Sequence, residues 1–102
     1  MDYKSILAGV DYAGTPPGGP PTGATQDSRK VIRGTVFVCI RGQGFDGHDF
    51  ARAALDAGAG MVVSQHPLGL PREVTVADTR AAYGQICQNF FDRPAEKLTL
   101  VG

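Results

Sequence analysis

At 102 residues, 42% of them hydrophobic, the chain has room for one modest core, and a single domain is the default. Ten Lys and Arg balance ten Asp and Glu with no block of like charge, which argues against a nucleic-acid or anionic-membrane surface. No window reaches the roughly 18 consecutive apolar residues of a membrane span, and the opening MDYKSILAGVDY lacks the basic start and apolar run of a signal peptide, so a cytoplasmic protein is expected.

Tyr3, Ile6 and Leu7 stand at helical spacing, with Asp2 suited to cap and Gly9 to stop a short amphipathic helix. The next stretch, DYAGTPPGGPPTGA, holds four of the seven prolines and four glycines and reads as a loop. A short strand is expected between Thr22 and Arg29, ending in the polar QDSR, and Val31 to Gly34 form a turn. TVFVCI follows, a strand whose nearly continuous apolar run implies that both faces are covered. From His48 to Ala57, residues Phe50, Ala53, Ala54 and Ala57 make one apolar helical face, and Gly58 stops it. GMVVSQ is a second buried strand, which completes a βαβ unit. After Pro67 and Pro71, EVTVAD is a short strand, and Asp78 caps the helix TRAAYGQICQNFF with Ala82, Tyr83, Ile86 and Phe90 inward. KLTLVG is a last strand. The pattern is that of a small α/β domain of two or three layers, with a mixed or parallel sheet built around the βαβ unit.

Between strand and helix, GQGFDG (residues 42–47) spells G-x-G-x-x-G, the context of a dinucleotide fingerprint. That fingerprint expects a carboxylate at the end of the second strand to hold the ribose, and here the strand ends in Ser64-Gln65-His66-Pro67. Asp46 beside a pyrophosphate would be repulsive. Asp46-Gly47 reads more naturally as a turn and N-cap before His48, and a glycine turn needed only for positive φ is the plain alternative. No GxxxxGK[ST] loop is present. His48 is expected as a surface or capping residue, and His66 has no evident partner. Asp27, Asp46, Asp49, Asp78 and Glu96 are scattered, several of them where turns and helix starts favour carboxylates, so no catalytic residue or metal site emerges. Cys39 and Cys87 are too few and too far apart for a disulfide framework or a zinc motif and are expected to be reduced packing residues.

Taken in order and spacing, Asp27-Ser28-Arg29-Lys30, Gly34-Thr35-Val36-Phe37-Val38, Gly42, Asp46-Gly47-His48-Asp49-Phe50 and Ala57-Gly58-Ala59 resemble the amino-terminal domain of the Mur ligases, which extend the peptidoglycan stem peptide. The tail ADTRAAYGQICQNFFDRPAEKLTLVG is similar to the MurE type, which adds the third residue and continues into an ATP-binding GTNGKT loop. The MurF type, which adds D-Ala-D-Ala, is the alternative within the family. The resemblance covers nearly the whole chain, residues 13–21 being its weakest part. It implies that residues 1–97 are the UDP-sugar-binding domain and 98–102 the first strand of a central ATP-binding domain. It further implies a monomeric ligase that uses ATP and magnesium when complete, while this chain holds no cofactor and is inactive alone. The implied partners are UDP-N-acetylmuramoyl-L-alanyl-D-glutamate and the enzyme's own central and carboxyl-terminal domains. The third amino acid, diaminopimelate or lysine, is chosen by the last of these.

By the same resemblance the uridine contacts fall on Gln26 and Ser28, and on Gln43, Gly44 and Phe45. Ser28 offers a hydroxyl to a phosphate or ribose oxygen, and backbone groups at residues 43–45 suit a uracil edge. The Phe45 ring either stacks on the base or folds onto the domain. The family commonly has an apolar residue at the position of Gln26 and Asp at that of Thr35. Asp27 and Arg29 are given structural roles, the carboxylate accepting turn amides and the guanidinium pairing locally. An interaction module that kept the fold and lost the ligand fits the same residues.

Overall fold

The structure, a computed structural model, describes residues 2–91. A 3-10 turn at Ser5–Leu7, whose first N–H donates to the Asp2 carboxylate at 2.8 Å, precedes β1 (Tyr12–Ala13) and β2 (Gly23–Thr25). A second 3-10 turn at Ser28–Lys30 leads to β3 (Thr35–Val38), and a small hairpin of β4 (Arg41–Gly42) and β5 (Phe45–Asp46) follows. A third 3-10 turn, Gly47–Phe50, runs into α1 (Ala51–Asp56), then come β6 (Met61–Ser64), β7 (Glu73–Val76) and α2 (Thr79–Phe91).

The main sheet has the order β1-β7-β6-β3-β2. β2, β3, β6 and β7 are parallel, and β1 closes the far edge antiparallel to β7. Side chains alternate across a strand. Val36, Val38, Met61, Val63, Val74 and Val76 therefore pack with Ile6, Leu7, Ala82 and Ile86, while Phe37, Cys39 and Val62 pack with Ala51, Ala54 and Ala59. The result is the three-layer, mixed-sheet α/β fold that the patterning implies. Coverage on both sides explains why β3 and β6 are buried at every position. The expected βαβ unit is β3-α1-β6, in register Val36↔Met61 and Val38↔Val63. α2 also follows its pattern: Asp78 Oδ1 accepts from the N–H groups of Arg80 (3.0 Å) and Ala81 (3.3 Å), Ala82 and Ile86 are buried, and Tyr83 and Phe90 pack against the core.

Three expectations need correction. The helix from His48 to Ala57 begins as a 3-10 turn with three residues per turn, so the inward positions become Ala51 and Ala54. Ala53 and Ala57 are exposed, and Phe50 is 43% exposed. The amino-terminal helix contracts to Ser5–Leu7, because Ala8 turns to an extended ψ of 130° and Gly9 takes φ +81°. The proline-rich stretch is not loop throughout, since Tyr12 and Ala13 pair with Val76 and Thr75. The KLTLVG strand and the boundary at residue 98 lie outside the described residues.

Among the described residues no helix is long and apolar enough to cross a membrane. Both cysteines are free, Cys39 buried and Cys87 half-buried. Burial, with Asp46 and Glu73 adding to it, pushes the Cys39 thiol up to about 12, which fits an inert packing residue.

Candidate ligand-binding cleft

Open parallel sheets leave a crevice outside the carboxyl ends of their strands. Here a cleft of about 440 Å³ lies there, lined on one side by Gln26 to Arg29 after β2 and on the other by Gly47 and Phe50, with buried Phe37 of β3 also contributing.

Both walls begin with the same local device. Asp27, extended at φ −108°, ψ 113°, caps the Ser28–Lys30 turn, its Oδ1 accepting the Arg29 N–H at 2.9 Å. Asp46, extended at φ −127°, ψ 118°, caps the Gly47–Phe50 turn, its Oδ1 accepting the His48 N–H at 3.0 Å. A short carboxylate side chain satisfies an otherwise orphaned amide at the start of each turn.

The first wall is held locally. The Arg29 guanidinium returns to the Asp27 carboxylate through Nε–Oδ1 at 3.1 Å and Nη2–Oδ2 at 3.0 Å, although its side chain is 88% exposed. The Asp27 N–H donates to Thr25 Oγ1 at 3.1 Å. Hydrogen bonds from Arg29, side chain first and then backbone, hold the Asp27 carboxyl below its ordinary value. The structural roles expected of Asp27 and Arg29 are those observed.

The second wall is tied into the fold. The Gly47 N–H donates to the Ile40 carbonyl at 2.9 Å, and a Cβ at this position would stand 2.6 Å from Ile40 N, so the approach admits only glycine. His48 Nδ1 lies 2.6 Å from Asp46 Oδ1, and His48 Nε2 accepts the Gln65 N–H at 2.9 Å. These partners assign the proton to Nδ1. The His48 side chain is 6% exposed, and His66 stacks on its ring at a centroid distance of 4.4 Å. His48 is thus an interior pin where a surface or capping residue was expected, and His66 has a partner that the sequence did not suggest. Gln65 extends the connection, its Oε1 accepting from Thr79 N at 3.1 Å and Thr79 Oγ1 at 2.9 Å at the start of α2. The His48 hydrogen bonds, backbone first, hold the Asp46 carboxyl below its ordinary value.

Of the five residues carried over as uridine contacts, Gln26 and Ser28 line the cleft together. Gln43 and Gly44 form the turn between β4 and β5, Gly44 at φ +80°, above the register pairs Gly42↔Phe45 and Arg41↔Asp46, and are not among the cleft-lining residues. The main chain of Phe45 belongs to β5, and its ring lies outside the described residues. The G-x-G-x-x-G is therefore a hairpin followed by a capped turn. Phe50 and Gly47 were not foreseen as lining residues, because the helical pattern placed Phe50 on the buried face. Tyr83 packs against the core as expected, and burial, with neighbouring Cys87 adding to it, raises its phenol. Among the described residues no three His, Cys, Asp or Glu side chains gather as a metal site.

The family model described as "Mur ligase family, catalytic domain" matches residues 22–91. The chain belongs to the Mur ligase family. Among curated relatives, the UDP-N-acetylmuramoyl-L-alanyl-D-glutamate–2,6-diaminopimelate ligase of Halalkalibacterium halodurans is 44% identical over 77 residues, covering 74% of this Mur ligase chain and 16% of the relative. Ligases of the same name from Geobacillus thermodenitrificans and Clostridium perfringens are 38% and 34% identical over 100% of this chain and 22% of their own length. Among solved structures, MurF from Acinetobacter baumannii shares the fold with a TM-score of 0.72 at 24% identity, covering 82% of this chain and 19% of that one. MurF ligase from Thermotoga maritima, solved in complex with ADP, gives 0.57 at 30% identity over 62% of this chain and 15% of that one. This Mur ligase chain thus spans 16–22% of the length of these curated relatives.

Proposed function

We propose that the chain is the UDP-anchoring amino-terminal domain of an ATP-dependent ligase that adds diaminopimelate or lysine to UDP-N-acetylmuramoyl-L-alanyl-D-glutamate in peptidoglycan synthesis. The observation that carries this reading is the meeting of Gln26 and Ser28 on one wall of a cleft outside the carboxyl end of β2. An amide, a hydroxyl and an aromatic ring around an open crevice suit a nucleoside, with hydrogen bonds for its polar edges and apolar surface for its ring. Gln43, Gly44 and Phe45 add contacts from the hairpin that feeds the second wall.

In this reading the chain has no bond-making role. Anchoring the nucleotide end of a long substrate supplies binding energy and orientation at a distant reacting carboxylate. ATP and magnesium act in the central domain, which begins at residue 98, and the chain by itself is inactive. It works in the cytoplasm, as part of a monomer. The curated relatives at 34–44% identity carry the diaminopimelate-adding name, which favours this over the MurF type, met here as structures at 24% and 30% identity.

Titration of the chain with UDP-N-acetylmuramoyl-L-alanyl-D-glutamate, followed by amide resonances, tests the anchor. Shifts centred on residues 26–28 and 43–45 are expected, and silence there at millimolar ligand overturns the reading and leaves the interaction module. In the complete enzyme Ser28→Ala should raise KM more than it lowers kcat, as removal of ground-state binding does.

A further inference from the structure

We infer that Phe50 is the platform on which the uracil ring of the ligand stacks. This rests on the uridine reading above and adds to it a residue outside the five already named. Phe50, Ile32 and Phe91 are the large hydrophobic side chains left exposed among the described residues, and of these Phe50 lines the cleft.

Its placement follows from the wall beneath it. Phe50 ends the 3-10 turn at φ −104°, ψ 1°, and the next residue, Ala51, opens the buried face of α1, so the inward direction belongs to Ala51 and Ala54 and the Phe50 ring is left to the cleft. The main chain that carries it is fixed three residues earlier by Gly47 on Ile40, and two residues earlier by the buried His48 with its bonds to Asp46 and Gln65. A ring on so constrained a support loses little conformational freedom when a second ring settles on it. The other wall carries what the aromatic lacks: the Gln26 amide and the Ser28 hydroxyl, beside the closed Asp27–Arg29 ion pair. One aromatic face and one polar wall around a 440 Å³ space describe a seat for a flat heterocycle with polar edges, which is the chemistry of a pyrimidine base.

The test follows the uracil H5 and H6 protons of UDP-N-acetylmuramoyl-L-alanyl-D-glutamate on addition of the chain. Stacking on Phe50 moves both upfield through the ring current. Phe50→Leu, which keeps apolar bulk, should abolish that shift and weaken affinity roughly tenfold, while Phe50→Tyr restores both. Matched amide spectra of the variants check their folding, and the wild-type shift needs no variant at all. Ligand binding that perturbs residues 26–28 while the uracil protons stay unmoved overturns the stacking and leaves the uridine reading standing. Loss of the shift in Phe45→Leu with none in Phe50→Leu also overturns it, in favour of the hairpin ring. No binding by the wild type at millimolar ligand overturns both together.

Discussion

Asp27 and Asp46 occupy equivalent positions: each is an extended residue ahead of a 3-10 turn, and each accepts the N–H two residues on, at 2.9 and 3.0 Å. Their second partners part company. The Arg29 side chain is 88% exposed and, among the described residues, returns only to Asp27, whereas the His48 side chain is 6% exposed and continues to Gln65 and thence to Thr79. Identical caps thus produce a wall held within five residues and a wall bolted to the ends of β3, β6 and α2. The cap sets local geometry, and the side chain two positions later decides whether that geometry belongs to the surface or to the core.

The strongest way to break this comparison is His48→Ala. It removes a buried ring and leaves the Gln65 N–H without its acceptor, and a loss of about 2–4 kcal/mol is expected in urea denaturation. Arg29→Ala in the same assay should leave the midpoint unchanged, since the pair it breaks is solvated. Equal shifts in the two variants would erase the distinction between the walls. Gly47→Ala comes next: its Cβ meets Ile40 main chain, and about 1–3 kcal/mol should be lost to overpacking, with the amide resonances of residues 39–41 displaced. At Gly44 a Cβ meets nothing within 4 Å, so Gly44→Ala should cost only the strain of its positive φ, about 1 kcal/mol.

Acid sharpens the contrast further. Both carboxyls are held below the ordinary value of 3.8, so the stability they contribute is complete above that value and is lost as pH falls through their lower folded values. Because the Asp46 network crosses the domain, Asp46→Asn should flatten the acid limb of a stability-against-pH curve more than Asp27→Asn does.

Legibility in the sequence followed the range of the interactions involved. α2 was readable throughout because its cap, Asp78, and its inward residues Ala82 and Ile86 are all set within the segment. β3 and β6 announced themselves as apolar runs. β1 carries no such signal in two residues, and only its pairing with β7 makes it a strand. His48 looked like a surface residue because its interior partner, Gln65, is 17 positions away. Phe50 was hidden for a subtler reason: a wheel drawn at 3.6 residues per turn misplaces positions in and after a 3-10 start, here Phe50, Ala53 and Ala57 but not Ala54. Gln26 and Ser28 became visible only through the motif resemblance, and nothing in their own chemistry would have singled them out.

The Gln43–Gly44 turn has a practical consequence. Its two residues sit above a closed register pair, with open space around Gly44, and the residues that cap and pin the second wall all follow the turn. The tip is therefore a splice point. Foreign residues inserted there should disturb the proposed uridine contacts of Gln43 and Gly44, while the Asp46, Gly47 and His48 foundation stays in place.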